Sequence, residues 1–169
     1  MYDGNHPNQD LHGYCDSDWG GDKGTRRSTG GSVFFIAGGV ISASSKSQPN
    51  VSLSSTEAEY YAFTSCIQEL LWIQQLMSHM QYTGKNILTT HIFSDNQSSL
   101  ALGNNPKLHQ RIKHIDIKHH FIRENLEAGR VNASYISTHD MAADALTKSL
   151  CSNKHRRFLE LLNLKFVTF

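Results

Sequence analysis

A mixed α/β fold, five strands in one sheet with helices on both faces, is predicted by three features of this sequence. Short β-branched and aromatic runs joined by glycine turns open the chain. The apolar period then changes from two to alternating three and four, and strands alternate with helices from there on. The resulting order β-β-β-α-β-α-α-β-α gives a three-stranded antiparallel meander joined by helical crossovers to two parallel strands. A length of 169 residues fits one such domain.

Residues 1–10 are polar and turn-rich and read as a linker, residues 11–150 as the domain, and 151–169 as a C-terminal helix and tail. Leu11 to Cys15 suits a short strand leading into Asp16-Ser17-Asp18-Trp19, and Gly20 through Gly31 reads as turn material. Ser32 to Ala37 forms the second strand, Gly38-Gly39 is a two-residue hairpin signal, and Val40 to Ser45 returns as the third. Ser54 and Glu57 make a capping box, in which Ser54 accepts from the Glu57 amide and the Glu57 carboxylate from the Ser54 amide. Behind it Ala58, Ala62, Cys66, Leu70, Ile73 and Met77 form the apolar stripe of a long helix to about His79, with Trp72 assigned to the core.

Ile87 to Ser94 is the fourth strand, and Asp95 to Leu102 a short helix stopped by Gly103-Asn104-Asn105-Pro106. His114 to Ala128 is a helix with Ile115, His119, Ile122 and Leu126 on one side and Gly129 as its C-cap. Val131 to Thr138 is the fifth strand, Asp140 to Ser149 a helix, and His155 to Leu162 another.

Sixteen Lys and Arg against fifteen Asp and Glu give a net charge of +1, so any affinity for a polyanion must come from a local basic surface. Cys15, Cys66 and Cys151 are odd in number, widely spaced and without a CxxC pair, which argues against a disulfide framework and a thiolate zinc site. A reducing, intracellular, cytoplasmic setting is the expectation. Met1 is not followed by a basic stretch and an apolar run, and no window reaches the ~18 apolar residues of a membrane span, so no membrane association is expected.

A site on such a sheet belongs at the carboxyl ends of the parallel strands, where strand order reverses. Asp16 ends the first predicted strand, Asp95 follows the fourth, Glu59 lies in the first turns of the long helix, and Asp144 lies in the helix after the fifth strand. Four carboxylates from four elements gathered at one end would repel unless a cation neutralised them. Hard oxygen donors suit Mg²⁺, and two ions roughly 4 Å apart suit phosphodiester hydrolysis. Each acid also has an ordinary explanation: Asp95 as an N-cap, Asp144 as a partner of a helix dipole, Asp18 as a turn residue. Glu57 is the capping-box partner, which leaves Glu59 as the free carboxylate. The joint placement favours a site.

His109, Arg111, Lys113, His114, Lys118, His119, His120 and Arg123 cluster in one segment. Their spacing includes no HExxH arrangement, so the functional reading is a phosphate-binding surface rather than zinc. Arg26, Arg27 and Lys46 would extend it from the meander, and Arg111, Lys113 and His114 are its candidates in the segment. An ordinary solvated helix face competes with this reading for Lys118 and Arg123.

Seven blocks carry a resemblance: GYCDSDWGGD at 13–22, RRSTGG at 26–31, ISASSKSQ at 41–48, LSSTEAEYYA at 53–62, SDNQSSLAL at 94–102, NPKLHQRIKHIDIKHHFIRE at 105–124 and AADALTK at 142–148. In order and in relative position they resemble the ribonuclease H domain of copia-like LTR retrotransposon polyproteins, over about residues 10–150. The resemblance implies the ribonuclease H-like fold and metal-dependent cleavage of the RNA strand of an RNA–DNA hybrid. It implies two Mg²⁺ ions, replaceable by Mn²⁺, with metal-binding and catalytic roles on Asp16, Glu59, Asp95 and Asp144. It also implies a reverse transcriptase domain of the same polyprotein as partner, and residence in cytoplasmic virus-like particles with access to the nucleus.

Two positions depart from the family pattern. Ala43 stands where a tryptophan is usual, which bears on core packing or the substrate surface. His139 lies only five residues before Asp144, too close for the loop histidine of many ribonucleases H, and reads as a solvated loop residue. Two other functions suit the same fold: a transposase, integrase or junction-resolving nuclease, and a non-catalytic or domesticated domain that binds hybrid or a polymerase partner.

Overall fold

The computed structural model describes residues 10–82, 89–96 and 113–164, the first three of the last stretch as backbone alone. Strands β1 (His12–Asp18), β2 (Thr29–Ile36) and β3 (Gly39–Ser47) precede helix α1 (Ser55–His79). Strand β4 (Thr90–Ser94), helix α2 (Lys113–Glu127), strand β5 (Val131–Tyr135), helix α3 (Asp144–Thr147) and helix α4 (Ser152–Leu161) follow. The sheet order is β3-β2-β1-β4-β5. β2 runs antiparallel to β1 and to β3, whereas β4 is parallel to β1 and β5 parallel to β4. This is the predicted meander with two parallel strands. Strand order reverses between β1 and β4, so the crevice beyond their carboxyl ends is where this topology places a site.

Helices cover both faces, as expected. On one face α1 lays Tyr60, Phe63, Ile67, Leu70 and Ile73 over Cys15, Phe34 and Ile92, and α2 adds Ile122. On the other, Val33 and Phe35 pack with Met141, Ala142 and Ala143, and Leu161 and Leu162 at the end of α4 close over them. The alternation of side chains along β1 divides the two: Cys15 enters the first core and Asp16 faces α3.

Several boundaries differ from the sequence pattern. β1 continues through Asp16 to Asp18 because Gly31, Gly30 and Thr29, expected in a turn, pair with Asp16, Ser17 and Asp18. Cross-strand pairing overrides the glycine signal there. The hairpin turn is Ala37-Gly38, with φ of 49° and 71°, rather than Gly38-Gly39. Left-handed φ at both central residues matches the right-handed twist of the flanking strands.

β5 stops at Tyr135, and the helix expected over Asp140–Ser149 is reduced to a 3₁₀ turn, Thr138–Asp140, and the four-residue α3. Between them Met141, Ala142 and Ala143 are connecting chain, buried against β2. The Asp95–Leu102 helix lies mostly outside the described residues.

Trp72 is a correction: it is 57% exposed, since the buried stripe runs through Leu70 and Ile73 on another side of α1. Ala43 is exposed on β3, so its small side chain does not loosen the core.

Candidate active site

Asp16 is 1% exposed, an unusual position for a carboxylate. It sits opposite Gly31 of β2. A Cβ at Gly31 would come within 2.7 Å of Thr147 Cγ2 and 3.0 Å of Leu146 Cβ, so the bare backbone lets α3 settle on the sheet. That close approach brings the Thr147 hydroxyl to Asp16 Oδ2, to which it donates. It also brings Lys148 Nζ to 3.1 Å from the same oxygen and 2.7 Å from Asp144 Oδ1. Gly31→Ala is expected to lower stability by about 1–3 kcal/mol through overpacking, read as a shifted denaturation midpoint. A midpoint equal to wild type would show that α3 is not seated this way.

Burial raises the Asp16 carboxyl above its ordinary pKa, opposed by the Thr147 hydroxyl and the Lys148 charge and reinforced by Asp144. Glu59 is affected more. Burial, followed by the charge of Asp16 and then that of Asp95, outweighs the Ser17 hydroxyl and Lys148 and pushes it up to about 8. Ser17 lies beside that carboxyl and favours its ionised form, yet its buried Oγ completes no hydrogen bond of standard geometry. The two groups are close and misaligned. Asp95, just past β4, accepts a 2.7 Å hydrogen bond from the Thr138 hydroxyl, which ties it to the turn after β5. Asp144 is the first residue of α3.

The four acids are therefore electrostatic neighbours: Glu59 feels Asp16 and Asp95, and Asp16 feels Asp144. Lys148 joins Asp16 to Asp144, and Glu59 lies within electrostatic reach of Asp16 and Asp95.

Glu57 behaves as a capping residue. Its amide donates to Ser54 Oγ at 3.1 Å, and its carboxylate accepts from the Leu53 amide at 2.7 Å, one residue further back than the predicted Ser54 amide. Asp18 folds into the turn: a Cβ at Gly21 would lie 1.9 Å from its Oδ2. Cys15 is no nucleophile. The neighbouring Cys66 and burial hold its thiol well above the usual range, and it faces the first core.

The donor set fits hard divalent cations in kind: carboxylate oxygens at least partly out of water, mutually repelling, beside the buried Ser17 hydroxyl that completes no hydrogen bond. It is not a finished cage. Among the described residues no group of three His, Cys, Asp or Glu side chains stands ready to hold an ion. The Lys148 ammonium lies between Asp16 and Asp144 instead.

Sequence reasoning missed Thr147 and Lys148. The available signal was the Asp144–Lys148 spacing of four, which puts both side chains on one face of a helical turn.

Arg26, Arg27 and Lys46 are exposed. Asp22 orders the β1–β2 turn that carries the two arginines, accepting from the Gly24, Thr25 and Arg26 amides. Lys46 pairs with Gly30, which pairs with Ser17, so it lies level with the acid-bearing end of β1. Arg111 lies outside the described residues, and Lys113 and His114 open α2. Lys118 rests 4.2 Å over the Tyr61 ring, Arg123 pairs with Glu127, and His119 is buried against Tyr60. Those three contacts are structural. His139 is exposed on the 3₁₀ turn beside Asp140, as a solvated loop histidine would be.

No family model matches the chain. Curated relatives do match, two Pol polyproteins among them. It is 38% identical over 154 residues to the retrovirus-related Pol polyprotein of transposon TNT 1-94 from Nicotiana tabacum, covering 91% of this chain and 11% of that protein. It is 40% identical over 151 residues to the corresponding polyprotein of transposon RE1 from Arabidopsis thaliana, covering 88% and 10%. The chain thus spans about a tenth of the length of these relatives.

Among solved structures, a ribonuclease H1 isolated from compost superposes with a TM-score of 0.58 at 17% identity, over 82% of this chain and 93% of that one. A foamy viral protease-reverse transcriptase in complex with an RNA/DNA hybrid superposes with a TM-score of 0.53 at 13% identity, over 81% and 19%. The fold is that of ribonuclease H, and the chain belongs with the ribonuclease H-like domains of copia-like retrotransposon Pol polyproteins.

Proposed function

We propose that this domain is a metal-dependent endonuclease that hydrolyses the RNA strand of RNA–DNA hybrids. The observation that carries the reading is the convergence of Asp16, Glu59, Asp95 and Asp144 from four separate elements at the switch point of the sheet. So costly an arrangement serves stability poorly and suits cation binding well. The hybrid as substrate is supported by the likeness to a reverse transcriptase solved on one, and a reverse transcriptase domain of the same polyprotein is the natural partner.

The four carboxylates would hold two Mg²⁺ ions, with Mn²⁺ as a substitute. Bound there, such ions supply a water of lowered pKa and charge stabilisation of the departing 3′-oxygen. Asp16 is kept oriented by the Thr147 hydroxyl and Asp95 by the Thr138 hydroxyl, so each presents its carboxylate in a restrained position. Arg26, Arg27 and Lys46, with Arg111, Lys113 and His114, would contact the phosphates of the hybrid, which positions it without reading sequence. Among the described residues no side chain is placed as a nucleophile, so water would attack and the phosphorus would invert.

A labelled hybrid incubated with Mg²⁺, Mn²⁺ or EDTA tests this. Cleavage with either metal and none with EDTA is expected, leaving 5′-phosphate and 3′-hydroxyl ends. Cyclic phosphate or 3′-phosphate ends would mean that the 2′-hydroxyl of the RNA attacked. Cleavage of double-stranded DNA alone would favour a transposase-like enzyme.

A further inference from the structure

We propose that Lys148 is the resident counter-cation of the carboxylate site: its ammonium neutralises Asp16 and Asp144 in the metal-free protein and leaves them when a divalent cation binds, so that it sets the metal affinity. The inference rests on the reading that these carboxylates take up metal.

Lys148 is the residue after α3, four positions beyond Asp144. Its Nζ lies 3.1 and 3.3 Å from the two oxygens of Asp16 and 2.7 Å from Asp144 Oδ1. An ammonium against three carboxylate oxygens from two elements occupies the kind of position a cation would take. Asp16 is nearly inaccessible, whereas the Lys148 side chain is 34% exposed, so the lysine has a route back to water and the aspartate does not. A lysine suits the task better than an arginine would. Its charge is compact, its four-carbon stem is flexible, and it is not locked to the carboxylate by a two-pronged fork.

Release need not disorder the site. The Thr147 hydroxyl donates to Asp16 Oδ2 independently of the lysine. The arrangement stabilises a buried carboxylate in the empty protein and repels a divalent ion entering beside it. Both effects have the same source, one positive charge, and both should change together when it is removed.

The test uses the 169-residue chain with Lys148→Met, and with Lys148→Gln as a variant that keeps a hydrogen-bonding side chain. Unfolding temperature is measured in EDTA at pH 7, and Mg²⁺ affinity by titration calorimetry without nucleic acid. Both variants are expected to melt at least about 2–4 °C lower in EDTA. Both should bind Mg²⁺ roughly tenfold more tightly, because the competing charge is gone. Unchanged melting in EDTA, or weaker Mg²⁺ binding by either variant while wild type binds normally, would overturn the role of Lys148 and leave the nuclease reading standing. Absence of Mg²⁺ binding by wild type and variants alike would overturn the metal reading itself, and this inference with it.

Discussion

Asp16→Asn and Asp95→Asn are each expected to abolish hybrid cleavage, a loss of at least about a thousandfold or roughly 4 kcal/mol of barrier. Asparagine matches aspartate in size but carries no charge, so it cannot offset a divalent cation. The fold should survive both changes. At position 16 the amide oxygen can still accept from Thr147, and the buried site loses a charge that burial already disfavours. At position 95 the amide oxygen can likewise accept from Thr138. Cleavage assays and melting curves on one preparation check the result. An inactive variant that melts normally supports the assignment, whereas either variant cleaving at wild-type rate with metal present removes that acid from the ligand set.

Glu59→Gln should be severe in turnover and Glu57→Gln mild, although the two residues are a turn-fraction apart on one helix. Glu57 closes the start of α1 by accepting from the Leu53 amide, and a glutamine oxygen can do the same. Glu59 lies near Asp16 and Asp95, where a ligand of a divalent cation would need its charge. Equal losses would show that the wrong glutamate was assigned.

The same residue makes a pH prediction for the metal-free protein. With a folded pKa near 8 against an ordinary 4.5, Glu59 keeps its proton in the native state after the unfolded chain has released it. The folded form therefore binds more protons between those values, and stability falls as pH rises through the window. Glu59→Gln should flatten that fall in EDTA. A wild-type stability that changes between pH 5 and pH 8 no more than that of the variant would contradict the displaced pKa.

The hydrophobic and turn patterns of the chain were enough to specify the architecture, because they are local. The capping box before α1 and the three-and-four stripe through Cys66, Leu70 and Ile73 need only neighbouring residues to be read. The candidate acids could be named for a related reason: topology places strand ends together before any distance is known.

What the sequence left open depended on contacts across long separations. Thr29–Gly31 read as a turn until pairing with Asp16–Asp18 made it strand. Asp140–Ser149 read as one helix until Met141, Ala142 and Ala143 were required in the second core. Lys148 was an undistinguished lysine until Gly31, well over a hundred residues earlier in the chain, allowed α3 to reach the sheet and set the ammonium against Asp16. Local periodicity reports which face a residue prefers. Only the packed structure decides which residue from elsewhere in the chain stands opposite it, because side-chain electrostatics act through space at a few ångströms whatever the separation along the chain.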